Sequence, residues 1–166
     1  MTPHSDAVRI QVNDFDLAQE QRALLGTPQG QAEAGAVVSF VGTVRGASSG
    51  QPLTGMTLEH YPGMTEASIE AMVADAHACF EILAVRVVHR VGHLPPGAQI
   101  VAVLVTARHR GDAFAACEFL MDYLKTQAPF WKKEHRADGD HWVEPRSQDE
   151  DAMARWASVS PRPASS

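Results

Sequence analysis

The sequence predicts an α+β domain with a mostly antiparallel or mixed sheet. Strand-like and helical stretches follow one another as β-α-β-β-α-β-β-α-β-β, so the helices are interleaved with hairpins rather than with single strands. Two Val-rich runs, Ala84–Val91 and Gln99–Thr106, are the strongest strand signals, with the turn HLPPG between them. There is no internal repeat, and 166 residues are enough for one domain with a real core.

In chain order, Ala7–Val12 alternates apolar and polar residues and reads as a short strand. Asn13 or Asp14 caps a helix running to about Leu25. Gly26–Gly35 is a polar linker, and Ala36–Arg45 a β-rich strand. Gly46–Pro52 (GASSGQP) reads as a flexible loop, and Leu53–Tyr61 as the returning strand of a hairpin. Pro62 and Gly63 break the chain. Thr65 and Glu66 then start a helix to about Leu83, with Ile69, Met72, Val73, Ala76 and Phe80 at three-and-four spacing. After the two Val-rich strands, Asp112 caps a third helix to about Thr126, apolar nearly all round and therefore expected to be largely buried. Pro129 ends it. Phe130–His135 and His141–Pro145 form two short strands across an Asp138-Gly139 turn. We take 1–150 as the domain and 151–166 as a C-terminal tail, partly disordered, because SVSPRPASS has little to bury.

Composition removes several classes of function. No apolar run approaches the roughly 18 residues of a membrane span, and the first residues lack a secretory pattern, so a cytoplasmic protein is expected. A net charge of -6 argues against a general nucleic-acid binder. The two cysteines, Cys79 and Cys117, sit in apolar helical patterns and form no CxxC pair, which suits buried structural thiols. Positive charge gathers between Arg108 and Arg136, a local cationic site on an acidic chain, which suits a small anionic ligand or an acidic peptide.

Three segments could carry chemistry. In Met121–Lys133 (MDYLKTQAPFWKK), Lys125 and Lys132 flank an Ala-Pro-Phe-Trp turn. Two cations beside rigid aromatic walls can hold an anion, and a lysine there can act as acid, base or nucleophile. Lys125 alone could equally complement the helix dipole. In Thr106–Arg110 (TARHR), His109 lies between a strand end and a helix start, where an anion can dock. A solvated turn is the plainer explanation. Arg45 ends FVGTVRG, before a Gly/Ser loop without a Walker pattern. It could grip a phosphate or carboxylate, or simply guard an edge strand. His89 and His93 lack an HExxH context, so no metal site is expected.

LEHYPGM (Leu58–Met64), VVHRVGHLPPG (Val87–Gly97), TARHRGDAF (Thr106–Phe114) and above all MDYLKTQAPFWKKE (Met121–Glu134) resemble, in order and spacing, the molybdopterin synthase large-subunit family. The resemblance covers roughly Ala36 to Arg146. It implies an α/β-hammerhead-like domain with a small added β subdomain. It also implies a homodimer, each copy binding one small ubiquitin-like sulfur carrier to give a heterotetramer. Two sulfurs would pass from the carrier's C-terminal thiocarboxylate to cyclic pyranopterin monophosphate, forming the dithiolene. No resident cofactor or metal is implied, since sulfur arrives on the partner. Carried over by motif, Lys125 and Lys132 are the catalytic candidates. Arg45, His109, Arg110 and, more weakly, Arg146 match anion and pterin contacts, partly supplied across the dimer interface. Phe40, Met121, Phe130 and Trp131 match the tunnel lining. The N-terminal strand and helix are also compatible with the family, the loop GASSGQP is short and plain, and the N- and C-terminal tails carry no part of the resemblance. A noncatalytic adaptor for a ubiquitin-like protein would not need both lysines. An unrelated enzyme acting on a phosphorylated metabolite would turn over without a carrier.

Overall fold

A computed structural model of the chain describes residues 6–144 and 147–163. It begins with β1 (Val8–Gln11) and α1 (Leu17–Leu25). Asp16 caps α1, accepting from the Gln19 amide at 3.0 Å, so the helix starts later than Asn13 or Asp14. Asp14 is instead engaged by the Gln99 side chain and the Phe15 amide. The expected linker holds a short helix, α2 (Pro28–Glu33), capped by Thr27 and opened by Pro28.

Next come β2 (Ala36–Thr43), β3 (Ala47–Ser48), β4 (Gln51–Pro52) and β5 (Gly55–His60). The expected loop is a miniature hairpin, in which Ser49 and Gly50 both take positive φ (50° and 75°), the backbone of a tight two-residue turn. Then follow α3 (Met64–Cys79), β6 (Ile82–Arg90), β7 (Gly92–Leu94) and β8 (Gln99–Ala107). The chain closes with α4 (Arg110–Thr126), β9 (Phe130–Arg136), β10 (Gly139–Trp142) and α5 (Ser147–Ala154).

Two four-stranded sheets organise these elements. The first runs β1-β6-β8-β2, with β1 parallel to β6 and the other pairs antiparallel. The second, smaller sheet runs β10-β9-β5-β7 and is antiparallel throughout. The class is therefore α+β with a mixed sheet and an added β unit, as expected. The pairing of β5 was not. It does not return along β2, which lies on β8, but pairs with β7 and β9. The nine-residue, Val-rich β8 offers β2 a partner buried on both faces, and the small hairpin turns the chain away before β5 begins. Part of the expected HLPPG turn is β7. Gly92, with φ +89°, lets the chain leave β6 for the second sheet.

Alternation along the central strands feeds two cores. Val87, Val103 and Val105 face α3 and α4, packing with Ile69, Met72 and Leu120. Val88, Ala102 and Leu104 face the other way, onto Phe15 and Leu24. A third cluster, Val44, Leu58 and Leu94, joins the end of β2 to the second sheet. α3 stops at Cys79 because Phe80 is extended (φ -125°, ψ 150°) and leads into β6. α4 is less buried than expected. Phe114 is 61% exposed, and Glu118 also faces out.

The described part of the tail, through residue 163, is docked. Trp156 packs edge-on against Phe119 and Phe80, and its Nε1 donates to Asp122 at 2.7 Å. Arg155 reaches Glu118 and Asp122, and the Arg162 amide donates to Ala78 O at 2.9 Å. Trp156 and Val159, three residues apart, pack against the first core and give this segment an apolar anchor. Arg146 and residues 164–166 lie outside the described residues.

Candidate functional site

The site forms where β2, the C-terminal end of α4 and β9 meet around a cavity of about 550 Å³. Each element delivers its side chain through a buried neighbour. Val44, 3% exposed, anchors the chain just before Arg45. Leu124, 7% exposed, fixes the last turn of α4, placing Lys125 at the cavity. Thr65, fully buried on α3, pins the turn that follows: its Oγ1 donates to Pro129 O at 3.1 Å and accepts from the Tyr61 amide at 2.9 Å. The turn sets the register of β9, and alternation does the rest. Phe130, Lys132 and Glu134 face the cavity.

The structure thus brings together Arg45, Lys125 and Lys132 with Phe40, Met121 and Phe130, all anticipated from sequence. Lys132 is half-buried, whereas Lys125 and Arg45 are exposed at the rim. Within one chain, Lys132 is therefore the more sheltered of the two lysines. Trp131 does not line the cavity. One residue out of phase with Phe130 and Lys132, it faces the opposite side of the sheet, 45% exposed and 6.2 Å from the Tyr61 ring. The tunnel role expected of it is corrected by the two-residue period of the strand.

His109 and Arg110 are also apart from this cluster. They cap and open α4, exposed, whereas Lys125 sits fifteen residues along the same helix. At the rise of an α-helix that is about 22 Å. Within one chain they cannot share a small ligand with Lys125. Arg146, also expected at the site, falls outside the described residues.

Two site residues were missed. His89 lines the cavity, with its ring stacked on Phe130 at 3.8 Å and 16°. Burial pushes its imidazole down to about 4, with smaller contributions from Lys132 and His60. The available signal was a histidine inside an otherwise apolar central strand, VVHRV. Glu134 also lines the cavity and is 5% exposed. Counting by two from Lys132 would have found it. His93 is exposed on the second sheet, away from His89. Among the described residues no group of three His, Cys, Asp or Glu side chains could hold a metal ion.

The thiols stand aside from the cavity lined by the lysines. Burial pushes Cys117 up to about 11, and its Sγ lies 3.8 Å from Val103 O. Cys79 is also raised, by burial and by Asp75.

Comparison with known proteins adds to this geometry. The family model described as "MoaE protein" matches residues 10–127. A molybdopterin synthase catalytic subunit of Ralstonia nicotianae is 51% identical over 152 residues, 92% of this chain and 85% of that one. The structure of a molybdopterin biosynthesis MoaE protein from Burkholderia ambifaria superposes with a TM-score of 0.76 at 52% identity, covering 90% of this chain and 97% of that one. A Helicobacter pylori structure, a protein–protein complex of subunits 1 and 2 of molybdopterin-converting factor, shares the fold at a TM-score of 0.69 and 19% identity, covering 85% of this chain and 92% of that one.

Proposed function

Because this chain belongs to the MoaE protein family, we propose that it is the catalytic subunit of a molybdopterin synthase, a cytoplasmic sulfurtransferase. Its carrier is a small ubiquitin-like subunit, and its substrate is cyclic pyranopterin monophosphate. The observation that carries the reading is the convergence of Arg45, Lys125 and Lys132 on one cavity from three separate elements. The carrier's thiocarboxylate and the cyclic phosphate are both anions, so a cluster of cations is what the two need to meet.

The sulfur reaches the site on the carrier, so the chain needs no nucleophilic thiol. Cys79 and Cys117, both raised and outside the cavity lining, suit that division of labour. In each transfer the thiocarboxylate sulfur bonds to a side-chain carbon of the pterin as that carbon's bond to oxygen breaks, the oxygen leaving on the opened cyclic phosphate in one transfer and as water in the other, and the product is an acyl thioester. Water then adds to the acyl carbon, the carbon–sulfur bond of the carrier breaks, and the carrier leaves as a carboxylate. Lys125 holds the thiocarboxylate and moves protons as sulfur attacks. Lys132 stabilises negative charge as it develops in a less hydrated position. No cofactor or metal is required for this sequence.

The assembly is a homodimer that binds two carriers. The 22 Å (roughly, by helical rise) between Lys125 and the His109–Arg110 pair gives the dimer a chemical purpose. The pair from one copy completes the site of the other.

Reconstitution tests the reading. The chain, a thiocarboxylated carrier and cyclic pyranopterin monophosphate are mixed and assayed for dithiolene pterin. Product is expected, and Lys125→Ala is expected to abolish it while the fold and dimer persist. A stable complex with the carrier but no product would make the chain an adaptor. Equal loss of thermal stability and activity in Lys125→Ala would make that lysine structural.

A further inference from the structure

The second sheet brings two histidines together on the face turned away from the cavity. His135 on β9 is one residue out of phase with Glu134, so it shares the outer face with Trp131. His93 on β7 stands directly opposite Thr57 on β5, and His135 directly opposite Gly55. Thr57 and Gly55 are two residues apart, so both histidines lie on that same face. Their rings lean toward each other across β5. A Cβ at residue 55 would stand 2.7 Å from His93 Cε1 and 3.1 Å from its Nε2, so the His93 ring lies over the strand only because Gly55 has no side chain. The two imidazole centroids are 5.2 Å apart.

His135 is already held as a ligand is held. Its Nδ1 is 2.6 Å from Asp140 Oδ1 on β10, and an ionised carboxylate only accepts, so Nδ1 carries the proton. In the neutral ring Nε2 is then the lone-pair nitrogen, and it accepts from Thr57 Oγ1 at 2.6 Å. A carboxylate gripping one ring N–H while the other nitrogen is left to bind is the usual support of a metal-ligating histidine. The spacing agrees. With zinc–nitrogen bonds of about 2.0–2.1 Å and a ring centre roughly 1.1 Å behind each nitrogen, two imidazoles at a tetrahedral angle have centroids about 5 Å apart. Lys133, the cation on this face, is drawn onto the Trp142 ring, with Nζ 4.5 Å from its centroid.

We propose that His93 and His135 form a binding site for a divalent transition-metal ion that favours imidazole, Zn²⁺ foremost. Asp140 supports it from outside the coordination sphere, water fills the remaining positions, and the ion replaces the Thr57 hydrogen bond at Nε2. With two protein ligands the ion exchanges with solvent, to which His93 is exposed. Bound, it ties β7 to β9 across β5, on the reverse of the strand that carries Lys132 and Glu134. The site takes no part in sulfur transfer and stands whether or not the chain is a synthase.

Zinc chloride titrated into the full chain, purified without a histidine tag, tests this against a chromophoric zinc indicator at about pH 7.5, where most imidazoles are neutral. One equivalent is expected to bind. His93→Ala and His135→Ala are each expected to weaken that binding about tenfold or more, and Asp140→Asn about tenfold, the scale of a lost outer partner. His77→Ala removes an exposed histidine on α3 and is expected to change nothing. Should His135→Ala melt early, His93→Ala decides, because an exposed side chain can be removed without disturbing the fold. A wild type without a one-equivalent site overturns the proposal. So does a loss of less than about tenfold in natively melting His93→Ala, or an equal loss in His77→Ala, which would make the binding adventitious.

Discussion

At position 89 a histidine occupies a central strand, 6% exposed and stacked on Phe130. Its folded value, about 4, lies below the ordinary 6.5. Between those limits only the unfolded chain binds the proton. This contribution to stability is therefore fully present above about pH 6.5 and is lost as pH falls toward 4. The loss is on the order of 3 kcal/mol. His89→Phe keeps the stack and removes the titration, so urea unfolding at a series of pH values should show a flatter profile across that window. An unchanged slope would assign the acid sensitivity to other groups. The cysteines give a second prediction at this scale. Cys117, buried and raised to about 11, should resist thiol reagents at pH 8 until the chain unfolds, with Cys79 reacting slowly. The double substitution Cys79→Ser/Cys117→Ser should retain sulfur transfer in whatever fraction folds. A folded but inactive double variant would contradict a partner-borne sulfur.

Among the elements, α5 and the segment after it show how a short sequence can be held by one side chain. Trp156 closes an aromatic cluster with Phe80 and Phe119, while Arg155 and the indole N–H share Asp122 on α4. Asp122 is three residues before Lys125, so the tail is tied to the last turns of the helix that carries a catalytic candidate. Trp156→Ala should lower stability by about 2 kcal/mol, less than a fully buried Trp would cost. Limited proteolysis should then cut the C-terminal segment faster, with the sheet core unaffected. Uniform destabilisation without faster cleavage there would mean that the segment is held by other contacts.

For the whole molecule, the cavity exists because two sheets are held against each other. Val44, Leu58 and Leu94 form the joint: Val44 precedes Arg45, and Leu58 lies opposite Lys132 on β5. Leu94, fully buried, contributes from β7. Leu94→Ala should cost about 3 kcal/mol by urea unfolding. Because the joint sets the distance from Arg45 to Lys132, turnover in the reconstituted reaction should fall by more than the folded fraction does. A fall that merely tracks the folded fraction would show that the second sheet keeps its place without Leu94.

Local sequence determined the strands and helices whose pattern was self-sufficient. β6 and β8 followed from Val-rich runs, α3 from three-and-four spacing, and the β9–β10 hairpin from Asp138-Gly139. The cluster of Arg45, Lys125 and Lys132 was legible as well, because the Met121–Glu134 segment is distinctive. Even the missed α2 had a local signal in Thr27-Pro28, as did Glu134 in the alternation of β9. The partner of β5 had none, because which strand lies beside it depends on which other edges are already filled. The tail's docking likewise depended on Phe80, Phe119 and Asp122 being brought together from distant positions. Trp131 was turned away from the cavity by strand phase, and within one chain the length of α4 sets His109 and Arg110 apart from Lys125. Residue chemistry and local periodicity are properties of neighbours in sequence. Pairing, facing and distance between elements arise only when the chain packs against itself.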